Sequence, residues 1–221
     1  MPTPSIEDYL KTIYKLETQG NGPPVSSGAI AEAMDVAPAS ASNMVRRLDD
    51  LGFIAYEAYA GATLTEPGRA IALEVIRHHR LLELYFKEVM GLDWHTIHHE
   101  AERLEHHISE TFEDRIEEML GHPTRDPHGH PIPTREGTVD ALSTHTLADA
   151  TEGDTAVIDH VSDDDAEVLT LLEQRGLLPG TAVRVIETRP LEGLMVVAIG
   201  GEETIIGHPV ANKVFVKSPT E

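Results

Sequence analysis

Between Trp94 and His107 the chain reads Trp94-His95-Thr96-Ile97-His98-His99-Glu100-Ala101-Glu102-Arg103-Leu104-Glu105-His106-His107, a stretch dense in imidazole and carboxylate groups. On a helix, Ile97, Ala101, Leu104, Ile108, Phe112 and Ile116 fall on one apolar stripe. His98, Glu102, Glu105 and His106 then share the adjacent arc. Side chains three and four residues apart are helix neighbours, so these nitrogens and oxygens can converge on one divalent cation. The preceding helix offers a second pair at i and i+4, His79 and Glu83. The competing reading is a solvated charged face in a histidine-rich chain. His99 and His107 lie off the arc and read as surface or supporting residues, while His95 falls on it in the first turn.

The chain has 221 residues, 40% of them hydrophobic, no cysteine and a formal charge of −21. That length allows two small domains or three very small ones. Without cysteine a metal site must use nitrogen, oxygen or thioether sulfur, a hard set that leans toward Mn(II) or Fe(II) over Zn(II) or Cu(I). No run is long enough to cross a membrane, and Met1 to Asp8 has neither a basic nor an apolar segment, so a cytoplasmic location is expected. The acidic balance argues against nucleic acid. Residues 1–64 are themselves net negative, with Lys11, Lys15, Arg46 and Arg47 against Glu7, Asp8, Glu17, Glu32, Asp35, Asp49, Asp50 and Glu57.

The elements that must position these groups can be read along the chain. Residues 5–19 form an amphipathic helix with Ile6, Tyr9, Leu10, Ile13, Tyr14 and Leu16 inward and Ser5 as the expected N-cap. Gly20 to Pro24 breaks it. A short helix, Ser27 to Met34, and a second from Pro38 to Leu51 describe a helix-turn-helix, and Phe53–Glu57 with Ala62–Thr65 reads as a hairpin wing. The exposed face of the second helix carries Ser40, Ser42, Asn43, Arg46 and Arg47, short donors and two cations suited to phosphates and base edges. A generic three-helix unit with a hairpin is the alternative. A long helix runs from Thr65-Glu66-Pro67 to about Met90, and Asp93 caps a ligand-rich helix expected to continue to Leu120. Four prolines (123, 127, 131 and 133) punctuate an ordered, irregular connector. Beyond it, Thr155–Val161, Ala182–Ile186, Met195–Ile199 and Val214–Val216 are short β-branched runs with a helix from Asp165 to Arg175 between the first two, the pattern of a small barrel.

Several of these segments carry a resemblance: Glu7 to Tyr14, His79-Arg80-Leu81-Leu82-Glu83, Gly91-Leu92-Asp93, Glu105-His106, Pro127 to Pro133, and Leu177-Leu178-Pro179-Gly180. Together and in order they resemble the diphtheria-toxin-repressor family of metal-dependent transcription regulators, over nearly the whole chain. The resemblance implies a mainly α protein with a small β domain: a winged helix-turn-helix over 1–65, a helical metal-binding and dimerisation domain over 66–140, and an SH3-like barrel over 141–221. It implies an activating site on Asp8, Glu102, Glu105 and His106, with carboxylates where the iron-responsive branch has methionine and cysteine. It implies an ancillary site on His79, Glu83 and His98, completed from the barrel, where Asp164 and Glu167 are the candidates against a merely solvated helix start. Lys11 stands where the manganese branch has a glutamate, so one ion at the activating site, and two sites per subunit, are expected.

The expectation is therefore a homodimeric repressor that binds double-stranded operator DNA, is activated by Mn(II) with Fe(II) as the alternative, and is not an enzyme. A metallohydrolase would need a nucleophile or general base beyond the ligands. A winged-helix regulator with an organic effector would bind DNA without metal.

Overall fold

The computed structural model describes residues 2–20, 22–163 and 165–218. The chain divides into two compact units, one of Met1–His79, Glu105–Ile108 and Pro133–Thr138, the other of Arg80–Leu104, Ser109–Ile132 and Val139–Glu221.

The first unit opens with helix α1 (Pro4–Gln19), which starts one residue before the sequence suggests. Proline in the first turn sets its φ, and Thr3, not Ser5, holds the cap position without a side-chain bond. Helix α2 (Ser27–Ala33) is capped by Ser26, whose Oγ accepts from Ala29 N at 3.1 Å. Asp35 turns the chain with φ 50° into α3 (Pro38–Asp50), giving the expected helix-turn-helix. Ile6, Tyr9, Leu10 and Ile13 of α1 pack with Ile30, Val45 and Leu48 into one core. Strands β1 (Ile54–Glu57) and β2 (Gly61–Leu64) form the wing in the register Ile54↔Leu64 to Glu57↔Gly61. Gly61 has φ +133°, and a Cβ there would lie 2.5 Å from Val25 O, so only glycine fits. Glu17, buried on α1, accepts from Leu64 N at 2.8 Å and from Arg69 at 2.6 Å, which fastens the wing to the first helix.

Helix α4 (Glu66–Glu88) ends as the sequence indicates, with Gly91 at φ +68° donating its N–H to Lys87 O. The next expectation needs correction. The helix foreseen from Asp93 to Leu120 is two helices, α5 (Trp94–Leu104) and α6 (Glu110–Met119). Ser109 caps α6 by accepting from Phe112 N, so Glu105, His106 and His107 sit in a turn. The apolar stripe therefore splits: Ile97, Ala101 and Ile116 are buried, whereas Leu104 and Phe112 are exposed.

The second unit also holds a five-stranded antiparallel sheet in the order β6-β5-β4-β3-β7, from β3 (Thr155–Val161), β4 (Ala182–Arg189), β5 (Leu194–Ile199), β6 (Glu202–Gly207) and β7 (Val214–Lys217). It is an open sheet with β6 and β7 at its edges, not the closed barrel expected, and β6 was not foreseen. Its two glutamates and modest apolar content hide the strand pattern. Helix α7 (Ala166–Gln174) packs Leu169 and Leu172 inward, and a short α8 (His208–Ala211) precedes β7. A bulge between Ile158 and His160 in β3 breaks the alternation, so Ile158, Asp159, His160 and Val161 are all buried in succession.

Candidate metal centres

Two clusters of imidazoles and carboxylates stand out, one in each unit. The first joins α1, α4 and the turn after α5. Glu105 is fully buried, and its two oxygens have separate partners. Lys11 Nζ donates to Oε1 at 2.6 Å, and His79 Nδ1 meets Oε2 at 2.6 Å. His78 Nδ1 lies 3.0 Å from the Glu105 carbonyl oxygen. The His106 ring is held between carboxylates, with Nδ1 2.6 Å from Glu7 Oε2 and Nε2 2.8 Å from Asp8 Oδ1. Nε2 is also 3.3 Å from Glu105 Oε1. Burial pushes the Asp8 carboxyl above its ordinary range, against the pull of His106 and Lys11.

The donor set fits a cation. Ligand atoms of Asp8, Glu105 and His106 lie within 4.8 Å of one another. A neutral imidazole has a single N–H and can serve only one of the two carboxylates facing His106. A second proton or a cation must stand at the other. Lone pairs on two carboxylates and one imidazole, with no thiolate in the chain, are hard donors of the kind that hold Mn(II), Fe(II) or Mg(II).

The second cluster joins α4, α5, the connector and the segment after β3. Glu83 Oε1 meets His98 Nδ1 at 2.9 Å, and Glu83 Oε2 lies 3.3 Å from His128 Nδ1. Asp126 folds its own loop, its Oδ1 accepting from His128 N at 2.8 Å and His130 N at 2.9 Å. That leaves Asp126 Oδ2 3.5 Å from both His130 Nδ1 and Arg80 Nε. Asp126, His128 and His130 are all buried and form a group of metal-ligand spacing. Both ring nitrogens of His128, fully buried, lack a hydrogen-bond partner in good geometry, as do His130 Nδ1 and Asp126 Oδ2. Buried polar atoms left in that state are costly unless a ligand completes them, so this cluster also fits a divalent ion.

Its electrostatics agree. Burial lowers the His128 pKa, but Glu83, Asp126 and Asp163 outweigh it and push it up to about 9. Burial raises Asp126, while His130 and His128 hold it below the usual carboxylate range. The connector is locked to β3 at this point. Val161 N donates to His128 O at 2.9 Å, and a Cβ on Gly129 would lie 2.4 Å from Asp159 O. The ring of Trp94 packs edge-on against His128, centroids 4.9 Å apart.

The residues singled out in the sequence fall as follows. Asp8, Glu105 and His106 come together; Glu102 sits half-buried on α5, one helical turn earlier in the chain. His79 groups with Glu83 and His98 at metal-ligand spacing, as expected, and its Nδ1 also bonds Glu105. Glu83 and His98 meet as expected. Asp164 lies outside the described residues. Glu167 is exposed in the first turn of α7 and is in none of the metal-ligand groups among the described residues, whereas the charge of the buried Asp163 acts on His128. Asp126, His128 and His130, which group at metal-ligand spacing, were not singled out in the sequence. The only signal was Asp126-Pro127-His128-Gly129-His130, read as part of a connector. On α3, Ser40, Asn43, Arg46 and Arg47 are exposed and Ser42 is half-buried, leaving this face open to a partner.

Comparison with known proteins agrees with this architecture. Residues 1–62 match the iron dependent repressor N-terminal DNA binding domain, residues 65–134 the iron dependent repressor metal binding and dimerisation domain, and residues 145–218 the FeoA domain. The chain is 34% identical to the iron-dependent repressor IdeR of Mycobacterium tuberculosis, covering 96% of each protein. It is 42% identical to the transcriptional regulator MntR of Oceanobacillus iheyensis, over 48% of this chain and 69% of that protein. A solved manganese-dependent transcriptional repressor in complex with manganese superposes with a TM-score of 0.88 at 34% identity, covering 97% of this chain and 100% of that one. The chain belongs to the iron-dependent repressor family of metal-dependent transcriptional regulators, the diphtheria-toxin-repressor family that its motifs resemble.

Proposed function

We propose that this protein is a homodimeric repressor that binds operator DNA when loaded with Mn(II), at two sites per subunit. The observation that carries the reading is the donor set of the first cluster: Asp8, Glu105 and His106 gathered at one point, with Glu102 one turn before, all hard ligands. Mn(II) is the weakest binder in the Irving–Williams order, so selectivity must come from which ion orders the site productively. An oxygen-rich set with one imidazole suits a hard six-coordinate ion. Zn(II), content with four ligands, leaves part of the set unbound.

The bound ion supplies positive charge that turns repulsion among the carboxylates into attraction. The chain's own residues do the rest. Asp8 belongs to the helix that carries the core of the helix-turn-helix, and Glu105 and His106 come from about a hundred residues away. Drawing these groups together fixes α1, and through Leu10 and Ile13 the packing of α3. Two recognition helices must then match successive major grooves, about 34 Å apart for half-sites one turn apart. The second cluster, Glu83, His98, Asp126, His128 and Asp163, is the second site. Exposed Leu104, Phe112 and Met119 on and beside α5 and α6 supply an apolar face for the second subunit.

Fe(II) is the second reading, favoured by the match to IdeR along 96% of the chain. Operator binding titrated anaerobically with Mn(II), Fe(II) and Zn(II) against a chelator separates them. Mn(II) activation at the lowest free concentration that orders DNA binding is the expected result; Fe(II) acting at lower free concentration than Mn(II) overturns it. His106→Ala should abolish the response while leaving the dimer intact.

A further inference from the structure

Glu105 is the centre of the first cluster, and its neighbours are unusual for a group awaiting a divalent ion. Oε1 accepts from Lys11 Nζ at 2.6 Å, the same oxygen that His106 Nε2 approaches at 3.3 Å. Lys11 is itself buried, 6% exposed, on the turn of α1 that follows Asp8. A fixed positive charge therefore stands among the carboxylates that an ion would use. We infer that Lys11 is an internal cation: its ammonium holds Glu105 in the metal-free protein and competes with the divalent ion for it, setting the free metal concentration at which the site fills. This rests on the metal-site reading above.

Two physical effects act in the same direction. A buried carboxylate without a counter-charge is strongly disfavoured, so Lys11 stabilises the metal-free site. An ammonium beside a divalent ion in a partly desolvated site also repels it. Both lower the affinity for metal, which makes the protein respond to a surplus of the ion and not to traces. Lysine suits the task, because its charge is compact and its stem flexible, so it can withdraw from Oε1 without disturbing α1. A residue that merely packed between α1 and the turn would stabilise metal-free and metal-bound protein alike.

The test uses the full-length protein and Mn(II) binding followed by calorimetry and by the EPR signal of free Mn(II). The relevant ion is the one that Glu105→Gln abolishes. Lys11→Met should bind that ion roughly tenfold more tightly or better, since charge repulsion and competition are both removed. Its metal-free form should melt at lower temperature than the native protein, with the gap closing at saturating Mn(II). Lys11→Gln, which keeps a donor but no charge, should show the same tightening. Lys11→Arg, which keeps the charge, should stay within about threefold of native. Unchanged or weaker binding by folded Lys11→Met and Lys11→Gln overturns the inference. Equal Mn(II) binding by the native protein and Glu105→Gln would instead overturn the metal-site reading on which it stands.

Discussion

At the scale of single residues, both clusters are built from side chains that the sequence displays openly, yet the second was legible only in part, through His79, Glu83 and His98. Glu105 and His106 announce themselves by their place beside an apolar stripe, and the match to Asp8 follows from the resemblance. His128 and His130 lie in an irregular loop, where no period says which way a side chain points. Asp163 is set by the end of a bulged strand, which sequence spacing does not reveal. The same strand carries His160, stacked on Phe215 with ring centroids 4.2 Å apart and 5.2 Å from His130. Burial, and then the nearby His130, lower the His160 pKa to about 4, despite the opposing Asp159. Unfolded, a histidine titrates near 6.5, so the folded protein favours the neutral ring. That contribution is complete above pH 6.5 and is lost as pH falls toward 4. His160→Phe should remove on the order of 2 kcal/mol of the stability difference between pH 7 and pH 4.5, measured by denaturant unfolding of the metal-free protein. An unchanged pH slope would contradict this account.

Among the elements, the helix-turn-helix was the clearest in the sequence, because proline and glycine mark both ends of α3 and its apolar spacing is regular. The break between α5 and α6 was not, since the 3.6-residue pattern runs straight across it. Ser109 is a good cap but also an ordinary surface residue, and only its bond to Phe112 N decides the matter. The sheet was legible but for one strand: four of its five strands are β-branched runs, while β6 is edge-exposed and charged. The exposed face of α3 divides by chemistry. Arg47→Ala should weaken binding to all DNA sequences and lower the salt slope by roughly one, as expected for a phosphate contact. Asn43→Ala should relax preference at one base pair, at a cost of about 1–3 kcal/mol. Equal effects of the two changes on specific and random DNA would refute this division.

For the whole molecule, the net charge of −21 sets a limit on how DNA can be held. Long-range attraction to phosphate is weak, so binding depends on two recognition helices arriving together. On the reading proposed above, dimerisation is then a condition of function, and Phe112→Asp, at a site 46% exposed, should give a folded monomer in sedimentation without operator binding. A dimer that survives the change would place the interface elsewhere. The indole of Trp94 bears on the molecule in another way. It is the single tryptophan of the chain, and its ring rests on His128 in the second cluster. Emission excited at the red edge of the absorption band, where tryptophan absorbs and the five tyrosines do not, therefore originates beside the second cluster. A paramagnetic ion captured at the His128 group would darken that emission. Light output and a total count of bound ions, followed in the same titration, would reveal the order in which the two centres load.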